Sequence, residues 1–139
     1  MSGKKIYTLG AKERLKSRKA LDFLFKEGNH LAVHPFRITY SVVKRDDFDG
    51  IELFPLKMGV GVSKRIFKKA KDRNLLKRRV RESFRTQKLQ LVDALIQRNL
   101  EMSIFFIYIS RDKPEFEKVY EKIGEAIDRL KKQVYAHYQ

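Results

Sequence analysis

The 139-residue chain contains no cysteine and no tryptophan, and it has only three prolines and three histidines. Without cysteine it can form neither disulfides nor thiolate metal sites, and thiol catalysis is excluded. Its longest apolar run, residues 104–109, is far too short to cross a bilayer. The first residues carry no apolar core of signal-peptide length. We therefore expect a soluble, cytoplasmic protein that has no membrane partner.

Acidic residues are also scarce relative to basic ones. Lys and Arg total 32 against 17 Asp and Glu, so the formal net charge is +15 and the pI is near 10.1. A balance of this kind favours a polyanionic partner. The length predicts one domain spanning residues 1–139, with a core at about 14–133, a mobile basic lead-in and a frayed C-terminal tail.

Much of the positive charge lies in one stretch, residues 64–85, which holds eleven Lys or Arg and only two acids. On a helix with 100° per residue, its apolar positions form one stripe: Leu76, Val80 and Phe84. The adjoining face carries a row of cations and one amide: Asn74, Lys77, Arg78, Arg81 and Arg85. Like charges at this spacing repel one another unless an anion lies close. We interpret the stretch as a nucleic-acid-binding helix, about 69–95, with the loop before it. The alternative is a solvated basic face, but six of the cations are Arg, whose planar fork suits phosphate.

The other elements follow from periodicity and turn residues. A short helix over 18–27, capped by Ser17, ends at Gly28, and residues 36–42 alternate as a half-exposed strand. Residues 45–55 form a turn-rich loop. In residues 102–110 both the odd and the even positions are largely apolar, which predicts a strand covered on both faces. A final amphipathic helix extends to about residue 133.

A second binding feature is predicted beside residues 58–63. One face of this strand is nearly bare, because it carries Gly59, Gly61 and Ser63. Glycine in a strand often marks the close approach of a ligand. With the polar face of the first strand it would leave a shallow groove, and Phe23, Phe25 or Tyr40 could line it and stack on single-stranded nucleotides. The alternative for each ring is an ordinary core position.

Two blocks of the sequence resemble the bacterial ribonuclease P protein component. They are RLKSRKALDFLFKEG at 14–28 and MGVGVSKRIFKKAKDRNLLKRRVRESFR at 58–85. The second block carries the more specific signature: Gly61-Val62-Ser63-Lys64, Arg73-Asn74, Lys77-Arg78 and Arg81 to Phe84. The resemblance covers about residues 12–131. It implies an α+β fold, a small αβββαβα sandwich of the ribosomal protein S5 domain 2-like type, with the basic helix in a left-handed crossover.

The resemblance also implies a function. Proteins of this family are subunits of a ribonucleoprotein that removes the 5′ leader from precursor tRNA, and catalysis belongs to the RNA subunit with magnesium held mainly by the RNA. The implied contacts to the RNA subunit are Lys69, Arg73, Asn74, Lys77, Arg78, Arg81 and Arg85. The implied cleft for the precursor leader is lined by Phe23, Phe25, Tyr40, Ser63 and Lys64. No catalytic or metal-binding role is implied for a protein side chain.

The chain departs from the family pattern at three positions. Leu75 occupies the third position of the Arg-Asn-Arg signature, and a cleft aromatic aligns with Leu21. The sheet tyrosine of the family aligns with Thr39, while this chain has Tyr40 next to it. Adjacent strand residues point to opposite faces, so the offset bears directly on which side of the sheet the ring occupies.

Two other functions compete with this one. A free-standing nuclease could use His30 and His34 with the acids Asp46, Asp47, Asp49 and Glu52, but these are better interpreted as solvated loop residues. A non-catalytic RNA-binding module, such as a ribosomal protein, shares the charge and the basic helix. Only the second block and the order of elements argue against it. A sequence-specific DNA-binding protein is less favoured, because no helix-turn-helix spacing precedes the basic helix.

Overall fold

The computed structural model describes Arg14 and residues 18–44 and 55–138. The elements in chain order are α1 (Arg18–Glu27), β1 (Asn29–Val33), β2 (Phe36–Lys44), β3 (Leu56–Val62), α2 (Ala70–Gln87), α3 (Leu89–Gln97), β4 (Leu100–Tyr108) and α4 (Phe116–His137). The predicted mixed α+β class is confirmed. The lead-in at 1–13, the proposed cap Ser17 and the acidic loop residues at 46–52 lie outside the described residues.

The four strands form one sheet in the order β1-β2-β4-β3. β2 pairs antiparallel with β1 and with β4, whereas β3 pairs parallel with β4. The parallel pair requires a crossover connection, and α2 and α3 supply it. The strands on either side of the basic helix are thus parallel neighbours, and the left-handed sense of the crossover stays a prediction.

The core lies between one face of the sheet and the three helices α2, α3 and α4. Alternate residues of β4, from Leu100 to Tyr108, are buried, and their neighbours in sequence are half-buried or exposed. The apolar stripe of α2 packs onto this face, where the rings of Phe84 and Phe106 meet edge to face at 5.9 Å. Burying a ring of this size stabilises the fold by roughly 1.5–3 kcal/mol. The stripe that turns into the core leaves the adjoining basic face of α2 outside.

The opposite face of the sheet, which we call the groove face, is partly covered by α1. Leu24 is the buried residue of α1. At Gly28 a side chain would place its Cβ 2.4 Å from Leu24 O and 3.0 Å from Thr39 Cγ2. Glycine is therefore required where α1 meets β2, and its N–H donates to Leu24 O at 2.8 Å to close the helix. This contact holds the C-terminal end of α1 against the sheet.

The predicted single helix over 69–95 is two helices that meet at Lys88. Three side chains in the last turns of α2 donate to backbone carbonyls of the same helix: Ser83 to Arg79 O, Thr86 to Glu82 O and Gln87 to Ser83 O. Bonds of this type compete with the backbone ladder and bend helices. The Ser83 and Thr86 bonds therefore favour a break near the end of α2.

The predicted frayed tail is wrong, because α4 continues to His137. Val134 is fully buried, and Tyr138 packs against the core. Arg98 holds the tail from another part of the chain: its Nε donates to Tyr138 O at 2.7 Å, and its guanidinium lies 4.4 Å from the centre of the Tyr135 ring. No helix in the described part of the chain combines the length and the apolar character needed to span a bilayer.

Candidate nucleic-acid interface

The exposed basic face of α2 forms one side of an open depression of about 560 Å³. Its lining includes all five residues that the helical projection placed together, which we call the basic ridge: Asn74, Lys77, Arg78, Arg81 and Arg85. Arg14 and Glu82 complete the lining. The prediction that these side chains share a surface is confirmed, because the 3.6-residue period of α2 carries them to the same side.

Arg14 was not among the predicted site residues. It forms a parallel bridge with Met58 on the outer edge of β3, away from β4. This pairing brings a cation from the N-terminal segment next to α2, although 60 residues separate it in sequence from Asn74. Helical periodicity could not have found it, since the contact depends on the edge pairing of a different segment.

The depression carries five cations and one acid, a formal charge of +4. Glu82 is engaged by Arg85, whose Nε donates to it at 3.1 Å, and this hydrogen bond lowers the pKa of Glu82 and raises the pKa of Arg85. Burial, and then the nearby charge of Arg14, lowers the pKa of Arg81. Among the described residues no acid forms an ion pair with Lys77, Arg78 or Arg81. This concentration of cations favours a bound polyanion.

Arg73 has a different task within the protein. Its Nη1 donates to Phe67 O at 2.8 Å and to Lys68 O at 2.9 Å, so the guanidinium holds the loop before α2 against the first turn. The ring of Phe67 anchors the same loop in the core by stacking on Tyr108 at 5.8 Å. Lys69, the residue before α2, is exposed. Neither Arg73 nor Lys69 lines the depression, and their contact with RNA stays a prediction.

The groove lies on the other face of the sheet, beside α1. Phe25 and Phe23 are 42% and 58% exposed, so both rings reach solvent. Phe25 meets Phe105 of β4 edge to face, with ring centres 5.2 Å apart. Phe105 could not be recognised from the sequence, because odd and even positions of residues 102–110 are both largely apolar and so do not distinguish the two faces of β4.

Gly61 has a structural explanation in the same place. A Cβ at this position would lie 3.1 and 3.2 Å from two carbons of the Phe105 ring. The close approach that glycine permits is therefore that of a neighbouring aromatic ring. The strand face that was predicted to be bare is thus partly covered, at Gly61, by a ring of the protein itself.

Tyr40 does not line the groove, so that prediction is wrong. Its ring is 8% exposed and belongs to the core cluster, on the same face of β2 as Ile38. Burial raises the pKa of its hydroxyl. The adjacent Thr39 faces the groove but is itself buried under α1. The one-residue offset from the family pattern thus moves the tyrosine through the sheet to the core.

Ser63 and Lys64 are exposed where β3 ends. The Ser63 Oγ accepts a hydrogen bond from the Arg65 N–H at 3.0 Å, and the Ser63 carbonyl accepts from Ile66 and Phe67 N–H. These bonds form the turn that leads out of the strand. Ser63 therefore shapes the backbone where β3 ends, and the contact of Ser63 and Lys64 with RNA stays a prediction.

No carboxylate of the described residues is joined to either histidine considered for nuclease chemistry. His30 Nδ1 lies 3.3 Å from the Thr39 hydroxyl, and His34 is exposed in the turn between β1 and β2. Within the described ranges no three His, Asp or Glu side chains are grouped so that they could hold a metal ion. The acids of the 46–52 segment lie outside those ranges.

Comparison with known proteins identifies the family. The family model for ribonuclease P matches residues 9–131, nearly the whole length of the chain. The chain belongs to the ribonuclease P protein family. A ribonuclease P protein component from Porphyromonas gingivalis is 30% identical over 130 residues, which cover 94% of this chain and 91% of the relative. The family resemblance seen in the two sequence blocks is thereby confirmed.

Solved ribonuclease P proteins share the fold. The protein from Thermotoga maritima superposes with a TM-score of 0.63 at 27% identity, covering 84% of this chain and 96% of the other. A mutant of the Staphylococcus aureus protein gives a TM-score of 0.62 at 21% identity, covering 87% and 89%. The protein is thus a component of the tRNA-processing ribonucleoprotein, with the ribonuclease P RNA as its partner.

Proposed function

We propose that this ribonuclease P family member binds the RNA subunit through the basic ridge and Arg14, and binds the 5′ leader of precursor tRNA in the groove beside α1. The observation that supports the first contact is the depression of formal charge +4, in which three cations lack an acidic partner among the described residues. Phosphate groups would neutralise these cations and release condensed counterions, which makes binding strongly salt-dependent.

The position of β3 relates the two surfaces. β3 is an edge strand: α2 packs near its core face, its other face belongs to the groove, and Arg14 is paired with its free edge. Cations therefore continue from the ridge around the edge towards α1. A positive surface in this position would lower the repulsion between two RNA chains held side by side. We expect the protein to reduce the magnesium concentration that cleavage requires.

The groove suits an unpaired RNA strand of varied sequence. Its exposed rings, Phe23 and Phe25, offer apolar faces on which bases stack whatever their identity. The strand residues on the groove face bring two cations, Arg37 and Lys57, and Glu101 is the one acid that the described strands place there. We expect recognition by stacking and charge, without a hydrogen-bond code for individual bases.

Cleavage itself is assigned in this proposal to the RNA subunit, with magnesium held mainly by RNA. In the described part of the protein, no set of carboxylates or histidines is grouped so that it could hold a metal ion. The contribution of the protein side chains is to bind the RNA subunit and to orient the leader. Family membership favours this function over a generic RNA-binding module.

The leader contact is tested with Phe25→Ala in the reconstituted holoenzyme. Single-turnover cleavage at increasing enzyme concentration gives a half-saturation concentration for precursor tRNA, and competition gives the affinity for mature tRNA. We expect the variant to weaken precursor binding roughly 5- to 150-fold, the value of one stacked base, and to leave mature tRNA binding unchanged. An equal loss for both RNAs would contradict a groove that holds the leader.

A further inference from the structure

The groove contains a second ring in direct contact with Phe25. Phe105 projects from β4, a central strand, and is half-buried on the groove face. The two rings stand nearly perpendicular, at 79°, with centres 5.2 Å apart. They therefore form two walls of one notch: Phe25 comes from α1, and Phe105 comes from the sheet below it.

The surroundings of Phe105 are small. Its direct partners across the sheet are Thr39 on β2 and Gly59 on β3. The ring extends over Gly61, where even a methyl group would meet it at 3.1 Å. No large side chain from these neighbouring strand positions covers the ring, and glycine lets it extend from β4 over β3. From there the backbone continues to Ser63 and the exposed Lys64.

We infer that Phe105 is a second base-stacking residue for single-stranded RNA, acting with Phe25, and that Gly61 provides the space its ring needs. This inference rests on the proposed function, because the RNA it would bind is the precursor leader. Two perpendicular aromatic walls can stack one base on a ring face and pack the edge of that base against the other ring. Lys57 lies on the same strand face, two residues before Gly59, and would neutralise a flanking phosphate.

A purely structural role would have Phe105 do no more than support α1 through Phe25. Phe105→Leu separates the two roles, since leucine keeps apolar bulk under α1 but removes the aromatic face. If the ring stacks on a base, the holoenzyme variant should bind precursor tRNA roughly 5- to 150-fold more weakly. Mature tRNA binding, RNA-subunit binding and the thermal midpoint should change little.

Three further variants sharpen the test. Phe105→Tyr keeps the ring and should bind precursor tRNA about as tightly as the wild-type protein does. Gly61→Ala forces the ring to shift and should weaken precursor binding by less than Phe105→Leu does. Phe116→Leu is the matched control: this ring is 38% exposed on α4, in the layer on the other side of the sheet, and its loss should have no effect.

The outcomes separate the inference from the proposed function. If Phe25→Ala weakens precursor binding and Phe105→Leu does not, the inference is overturned and the leader groove stands. If neither variant affects precursor binding, the groove itself is rejected. Equal losses for precursor and mature tRNA with Phe105→Leu, or a large drop in its thermal midpoint, would assign Phe105 a structural role only.

Discussion

Removing two cations of the basic ridge should change how salt affects binding to the RNA subunit. The double variant Arg78→Gln/Arg81→Gln keeps two polar side chains of moderate length but loses two positive charges from the depression. Neither arginine is paired with an acid in the described structure. We expect the fold to tolerate the change, because it relieves repulsion between like charges on α2 and with Arg14.

The magnitude follows from counterion release. Each phosphate contact contributes about 0.7–0.9 to the slope of log affinity against log salt, so the double variant should flatten the slope by about 1.6. The ratio of wild-type to variant affinity for the RNA should consequently fall about ninefold as monovalent salt rises from about 50 to 200 mM. Affinity at one salt concentration would not reveal this, because any damage to the fold also lowers it.

The assay is equilibrium binding to a bacterial ribonuclease P RNA across a salt titration at constant magnesium. Lys132→Gln provides the control for net charge: its side chain on α4 is 73% exposed and pairs with Asp128, away from the depression. This control should leave the slope unchanged. If the double variant retains the wild-type slope, or if Lys132→Gln flattens it equally, the basic ridge does not bind the RNA subunit.

Other changes give separate tests. Arg73→Gln removes the bonds to Phe67 O and Lys68 O. In denaturant titration it should lower the free energy of unfolding by about 1–2 kcal/mol, and it should have little effect on the salt slope. A flatter slope with unchanged stability would refute its structural role. Leu75→Arg, at an exposed position, should steepen that slope by about one, and no change would mean that this position does not face RNA. Burial raises the pKa of Tyr40, so the folded protein keeps this proton to higher pH than the unfolded chain does. The free energy of unfolding should therefore be unaffected well below pH ~10 and should fall as pH rises through that value. Tyr40→Phe should remove part of this fall when unfolding is measured against pH, and an unchanged fall would exclude the hydroxyl as its source.

The basic ridge could be predicted from sequence because one local rule determines it. The residues lie on a single helix, so the period of α2 decides which side chains share a face. Arg14 could not be predicted in this way, since its place depends on pairing with Met58 on a distant strand edge. The structural role of Arg73 was hidden for a similar reason: its hydrogen-bond partners are backbone carbonyls, which carry no sequence signature.

The groove was predicted less completely, and the reason lies in how side chains alternate between the two faces of a strand. The alternation predicted for β2 is correct and puts Tyr40 on the same face as Ile38, which packs in the core. Assigning Tyr40 to the groove did not follow that alternation. In β4 both parities are apolar, so the pattern could not show that Phe105 faces α1. At the C-terminus the series Leu130, Val134, Tyr138 continues the helical stripe, and this signal was available for the longer α4.

The most direct test of the account is cleavage of a 5′-extended precursor tRNA at low magnesium by a bacterial ribonuclease P RNA, with and without this protein, and by the protein alone. We predict that the protein strongly accelerates cleavage by the RNA and cuts nothing by itself. If cleavage by the RNA is unchanged although the protein binds it, the subunit function is contradicted. If the protein cuts alone, assigning catalysis to the RNA is wrong.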